Sequence, residues 1–529
     1  MTEINNRRFN ILLAKPGFDD SRSMVVKPDS FTWKDLDPSI ASGVLAFRTG
    51  QNPPDWVPFV NSALEEKLTG LVNTSNSALV LMPVDGNTFI ICFGYARNML
   101  NDECFVRDFG LRVVLNTVDP TKLRSVDAST AENITKHTRA QVSAASPPEE
   151  FGLDITRDIL RSVAGNPKEE FRDIFGSTIT GKDSLHITSD AKMPSLKSLL
   201  ATILGLYGRD TYKDHFDWVD NIREERDPDI VSQLNIELVS VLNSGSLGTL
   251  HLALPEIYNP EEIDCFSYCS AAGQMFDDLK IKDAIETLSL EEVEVETLKN
   301  RRVYAHKSDE EILGSWSLMR CIVFELDWNS KRYLLTMGNW YCIEPSFVRK
   351  VTNEIDIIAD MELPQCNEGM HEYDYNSVLS KSVKGGVLCD GKLIYCEGAR
   401  TSVELCDVLT QDMELIHVKR KDRSSELSHL FSQGKISAEA LLSDETFLAK
   451  ARGFVKNDGK EPDRYFPKSI NQIRRSDYTV VFAIIDTSER VLTQSLPFFS
   501  LLNLRQTANT LRVLGYNVAK AKIKVKKNA

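Results

Sequence analysis

The stretch Val403–Leu442 places an acid, a histidine and a lysine where they can act together. Val403–Leu409 alternates, so Val403, Leu405, Asp407 and Leu409 share one strand face. Gln411 and Asp412 make a polar turn. Glu414–Arg420 follows as a second strand with Leu415, His417 and Lys419 on one face. Burying an unpaired acid or cation on a face that otherwise carries leucine costs several kcal/mol, roughly 2–7 on transfer scales. A shared polar site built from Asp407, His417 and Lys419 is the natural explanation. Cys406 beside Asp407 and His417 raises a cysteine hydrolase as another reading. Alternation, however, puts Cys406 on the opposite face from His417.

The elements around these residues form a recognisable series. Met370–Lys381 has a helical pattern and ends at Gly385-Gly386. Val387–Cys389 and Leu393–Cys396 are strand material around an Asp390-Gly391 turn, and the two strands above follow. Ser424 or Ser425 is a good N-cap for a helix whose stripe is Leu427, Leu430 and Phe431. Residues 451–476 read as a charged loop, Tyr478–Asp486 as a strongly apolar strand, Leu496–Leu514 as a helix and Tyr516–Val525 as a closing strand. The order is helix, three strands, helix, strand, helix, strand.

That order, with an acid on the middle strand and a lysine on the third, resembles the core of the restriction-endonuclease-like nucleases, the PD-(D/E)xK superfamily. In the resemblance Asp407 stands for the Asp and His417-Val418-Lys419 for (D/E)-x-K, with His417 where the family usually has a carboxylate. Glu372 would be the acid of the first helix and Gln433 the polar residue of the following one. The resemblance implies Mg²⁺ or Mn²⁺ held by Asp407 with His417 or Glu372, since imidazole as well as carboxylate can ligate such ions. The ion would lower the pKa of a water and polarise a phosphate, and Lys419 would hold the water or neutralise developing charge. Arg420, Lys421 and Arg423 form a basic edge for backbone phosphates, which Lys520 and Lys522 would extend. The whole chain, with SSELSHLFSQG and LPFFS, also resembles a sporadically distributed bacterial family of similar length that carries no assigned activity.

At 529 residues, with 42% hydrophobic and 26% charged residues, the chain has an ordinary globular composition and length for about three domains. No apolar run approaches the roughly 20 residues of a membrane span. The start lacks a signal-peptide core, and ten cysteines lie scattered without a framework, which together point to the cytoplasm. Cys265 and Cys269 have no second pair to complete a zinc site. The net charge of −14 excludes a broadly basic, histone-like binder. Residues 371–529 nonetheless carry a balance of +6, against −20 in the remainder. The expected architecture is multidomain α+β or α/β. It comprises an α+β domain over 1–135, a mainly helical region over 151–250, a mixed region over 251–369, and a restriction-endonuclease-like mixed sheet flanked by helices over 370–529. Trp340, Tyr341 and Phe347 could stack on bases, although a plain core is the commoner fate of such a group.

Two functions follow as expectations. One is a metal-dependent endonuclease acting on nucleic acid, with DNA the expected substrate, in bacterial antiviral defence. The other is a nuclease-like module that has lost metal and binds nucleic acid or a protein partner.

Overall fold

The computed structural model describes residues 6–526 apart from 19, 55, 131–135, 154–157, 246, 249, 256–262, 289–292, 308–311, 396–401 and 422–423. The chain divides into two compact units. The first comprises Met1–Ser129 with His137–Val219, and the second Thr130–Lys136 with Asp220–Ala529.

The first unit is built on a ten-stranded sheet whose central strand Arg7–Leu13 pairs antiparallel with both Asn87–Phe93 and Leu185–Ser189. Alternation in Arg7–Leu13 sends Phe9, Ile11 and Leu13 into one apolar cluster and Leu12 into another. The helices Phe109–Thr117 and Met193–Tyr207 supply the first cluster. Backbone meets backbone there, because a Cβ on Gly110 would lie 2.1 Å from the carbonyl oxygen of Ser184. Only glycine permits that approach.

The second unit begins with two antiparallel sheets. One is a five-stranded sheet containing Ile322–Trp328, Lys331–Thr336 and Asn339–Ile343; the other is a four-stranded sheet centred on Cys265–Tyr268 and Arg302–His306. Trp340, Tyr341 and Phe347 are buried core residues here. No helix among the described residues is long and apolar enough to cross a membrane. The chain as a whole is multidomain α+β.

The C-terminal part of this unit carries the site, and its elements are labelled in chain order. They are α1 (Glu372–Ser382), β1 (Val387–Leu388), β2 (Leu393–Tyr395), β3 (Ser402–Glu404), β4 (Val408–Leu409), β5 (Glu414–Arg420), α2 (Ser424–Ser443), α3 (Glu445–Asn457), β6 (Thr479–Asp486), α4 (Phe498–Val513) and β7 (Asn517–Lys526). The main sheet runs Ala359–Asp360, β7, β6, β5, β4, β1. Strands β5, β6 and β7 are parallel, whereas β4 pairs antiparallel with β5 and with β1. Helices cover both faces, so β6 reads as the continuous apolar run TVVFAIID. Val481 and Ala483 share one apolar cluster with Tyr375 and Leu379 of α1. Phe482, on the other face, meets Phe431 of α2.

Two local expectations change. A helix, α3, occupies the start of the stretch expected to be a charged loop, capped by the Asp444 carboxylate on the Phe447 N–H. Val403–Leu409 is also not one strand. β3 pairs with β2 in a separate two-stranded ribbon, and β4 pairs with β5 and β1, so the chain changes partners across Leu405–Asp407.

Candidate metal centre

The partner change at Leu405–Asp407 builds the site. In a regular strand Glu404 and Asp407, three residues apart, would face opposite sides. The break turns both toward Asp390, which follows β1 in the Asp390-Gly391 turn. Ligand oxygens of Asp390, Glu404 and Asp407 all lie within 4.8 Å of one another, and all three residues are half-buried. Gly391, at φ +74°, adopts a left-handed turn and donates its N–H to Glu404 Oε1. Asp407 is also held by its backbone. Its N–H donates to the Ile416 carbonyl, and its carbonyl accepts from the N–H groups of Cys389 and Asp390.

Each carboxylate has a polar neighbour. Asp407 Oδ2 accepts from the Val418 N–H at 2.6 Å. Asp390 Oδ2 accepts from Asn376 Nδ2 of α1 at 2.8 Å. Gln433 Nε2 of α2 approaches Glu404 Oε2 at 3.5 Å. Lys419 Nζ donates to Glu372 Oε1 at 2.7 Å, and the Arg420 N–H reaches Glu372 Oε2 at 3.1 Å.

Burial pushes the Asp407 carboxyl well above the usual range, and the charges of Glu404, Asp390 and Glu372 push it further against the pull of the Val418 N–H. Glu404 is raised in the same way, by burial first and by Asp390 and Glu372, while the Gly391 N–H and Lys419 oppose the shift. Mutually repelling carboxylates with only part of their charge compensated favour a shared proton or a cation. The fully buried Asn376 leaves its Oδ1 without a hydrogen-bond partner beside this group. The donor set is all oxygen and fits a hard divalent ion such as Mg²⁺ or Mn²⁺, with Asp390, Glu404 and Asp407 as the holders.

Asp407, Glu372, Lys419 and Gln433 gather around this group, although Glu372, expected as a metal ligand, is bonded to Lys419 and the Arg420 N–H and is not among the converging three. Sequence reasoning and structure part at His417. Its imidazole lies inside the apolar layer between β5 and α2, stacked 6.3 Å from Phe482 and 3.5 Å from Ser437 Oγ. Burial lowers it to about 4. It is not among the residues whose ligand atoms converge, which corrects its expected role as a ligand beside Asp407. Alternation assigned His417 a face but not the layer that covers that face.

The expected basic edge is corrected as well. The Arg420 guanidinium donates to the Met370 carbonyl and to Cys366 Sγ. Lys421 lies 3.6 Å from Asp486. Lys520 is buried, donating to the Ile358 carbonyl at 2.6 Å and pairing with Asp360 at 3.0 Å. Lys522 pairs with Asp486 at 3.5 Å and donates to the carbonyls of Ser488 and Arg490. These cations are engaged within the fold rather than displayed for phosphates. Arg423 and Cys396 lie outside the described residues, as do the side chains of Ser424 and Ser425. Cys406 is fully buried, and burial with Cys389 beside it lifts its thiol well above the usual value, which speaks against the cysteine-hydrolase reading.

Asp390, Glu404 and Asn376 were missed in the sequence. Asp390 carried only a turn signal, and Glu404 sat on the wrong side of an assumed strand.

A family model described as "Family of unknown function (DUF6119)" matches residues 9–524. The chain belongs to that family. No curated protein and no solved structure matches it. The match spans residues of both compact units.

Proposed function

We propose that the protein is a metal-dependent nuclease that hydrolyses phosphodiester bonds at the Asp390–Glu404–Asp407 group. The observation that carries the reading is the convergence of three carboxylates next to the Lys419–Glu372 pair. They converge on a mixed sheet, and the element order α1, β1, β4, β5, α2, β6, with the β2–β3 ribbon and α3 as additions, supports the resemblance to the restriction-endonuclease-like core. The pairing supports it too, since three strands run antiparallel and the strand after α2 joins in parallel.

A divalent ion at this centre would supply Lewis acidity toward the phosphate and a lowered pKa for a bound water. The residues divide the remaining work. Asp390, Glu404 and Asp407 would hold the ion from two backbone segments, the Asp390-Gly391 turn and the Glu404–Asp407 stretch. Asn376 fixes Asp390, and the Val418 N–H fixes Asp407. Glu372 holds the Lys419 ammonium at the edge of the group, where a cation can neutralise charge developing on a phosphoryl oxygen. In this reading Glu404 supplies the carboxylate that the resemblance would place at His417. DNA is the proposed substrate, and antiviral defence the proposed setting; the sequence resemblances support both.

The test is incubation of the purified chain with plasmid, linear DNA and RNA in Mg²⁺ or Mn²⁺. Cutting is expected from the wild type and not from Lys419→Ala or Glu404→Gln. Inertness with every substrate and metal, or cutting by well-folded variants, overturns the proposal.

A further inference from the structure

The ribbon formed by β2 and β3 carries more than a ligand. Its register sets Leu393 opposite Glu404 and Tyr395 opposite Ser402. Cross-strand partners share a face about 5 Å apart, so Leu393 and Tyr395 lie on the face that holds Glu404. Both are displayed to solvent, Leu393 at 57% and Tyr395 at 60% exposure, whereas Ile394 between them is fully buried. The ribbon is anchored from behind, with the Lys392 ammonium over the ring of Phe454 in α3. Tyr373, at 58% exposure, stands next to Glu372 at the start of α1. An aliphatic and an aromatic side chain therefore rim the carboxylate group on a braced ribbon.

The geometry points to unpaired nucleobases as the occupants of this rim, so that the substrate class is single-stranded, frayed or flapped nucleic acid. This rests on the nuclease reading and goes on to name its substrate. A phosphate that reaches Glu404 brings its neighbouring nucleotide onto Leu393 and Tyr395. In a duplex the base faces are hidden by stacking, and only base edges and phosphates are offered. Aromatic and aliphatic side chains recognise faces, so they gain only from a base that has left its stack.

The experiment uses the full chain in EDTA, which prevents cutting. A fluorescein-labelled short oligodeoxynucleotide, single-stranded or annealed into a blunt duplex, is titrated by anisotropy. The expected result is tighter single-strand binding by about tenfold or more, with Tyr395→Ala and Leu393→Ala each losing about tenfold on the single strand, Tyr395→Phe retaining it, and duplex binding unchanged. Equal affinity for both probes, or full single-strand affinity in both alanine variants, overturns the inference. The same strands are then given Mn²⁺. Single-strand preference without cutting keeps the base-docking rim and removes the nuclease reading. Equal cutting of both strands, unchanged by Tyr395→Ala, keeps the nuclease and removes the substrate class.

Discussion

Replacing Asp407 by asparagine should stabilise the metal-free protein and abolish its stabilisation by metal. The oxygens of Asp390, Glu404 and Asp407 lie within 4.8 Å of one another. At an effective dielectric of about 20, two unit charges at that separation repel by roughly 3 kcal/mol. Lys419 and the local N–H groups offset part of this. Asparagine keeps an oxygen for the Val418 N–H, which Asp407 binds at 2.6 Å, so the geometry survives while the charge goes. The net gain at pH 8 in EDTA is about 1–3 kcal/mol, a rise of about 1–3 °C in the midpoint for a chain of this size. With Mg²⁺ or Mn²⁺ at about a hundredfold excess over Kd, the wild type should gain about 2.7 kcal/mol. The variant, short of one ligand, should barely move. Thermal melts in EDTA and in metal, paired with calorimetric titration, measure both arms. A variant that melts below the wild type in EDTA and shifts equally with metal would refute the argument.

Glu325, on the Ile322–Trp328 strand, caps α4 by accepting from the Phe498 and Phe499 N–H groups at 2.7 and 3.4 Å. Burial lifts its carboxyl to about 7 from an ordinary 4.5, against the pull of those N–H groups and Arg332. A raised folded pKa means that the folded state holds the extra proton. Its stabilising effect is full below about pH 4.5 and is lost as pH rises to about 7, worth roughly 3 kcal/mol at 1.36 kcal/mol per unit. Glu325→Gln should remove that slope, and melts of the two proteins that run parallel from pH 5 to 8 would contradict it. His417→Glu should not restore a nuclease carboxylate. It buries a charge against Phe482 and should cost about 3 kcal/mol or more by chemical denaturation; a variant as stable as the wild type would place the side chain elsewhere. Lys520→Met should cost about 1–3 kcal/mol, through its bonds to Ile358 and Asp360, and leave the salt dependence of nucleic-acid binding unchanged. A shallower salt slope would return Lys520 to the phosphate-binding set.

The apolar run of β6 could be read directly, because a parallel strand covered on both faces leaves no polar alternation. The element order from α1 to β7 could be read from turns and periodicity for the same local reason. Asp407, Lys419 and Glu372 stood out because charged groups beside apolar strand residues need partners. What the sequence did not contain were the partners themselves. Glu404 joined Asp407 only because the chain leaves the β2 ribbon for the main sheet at Leu405–Asp407, which breaks the period-two rule. Asp390 arrived from a turn whose own signal was purely conformational. His417 and Lys520 show the remaining limit, with His417 stacked on Phe482 and Lys520 bonding to Ile358 more than 160 residues away. Local pattern determines which face a side chain takes; only the packed layers decide whether that face meets a metal, a carbonyl or a phenyl ring.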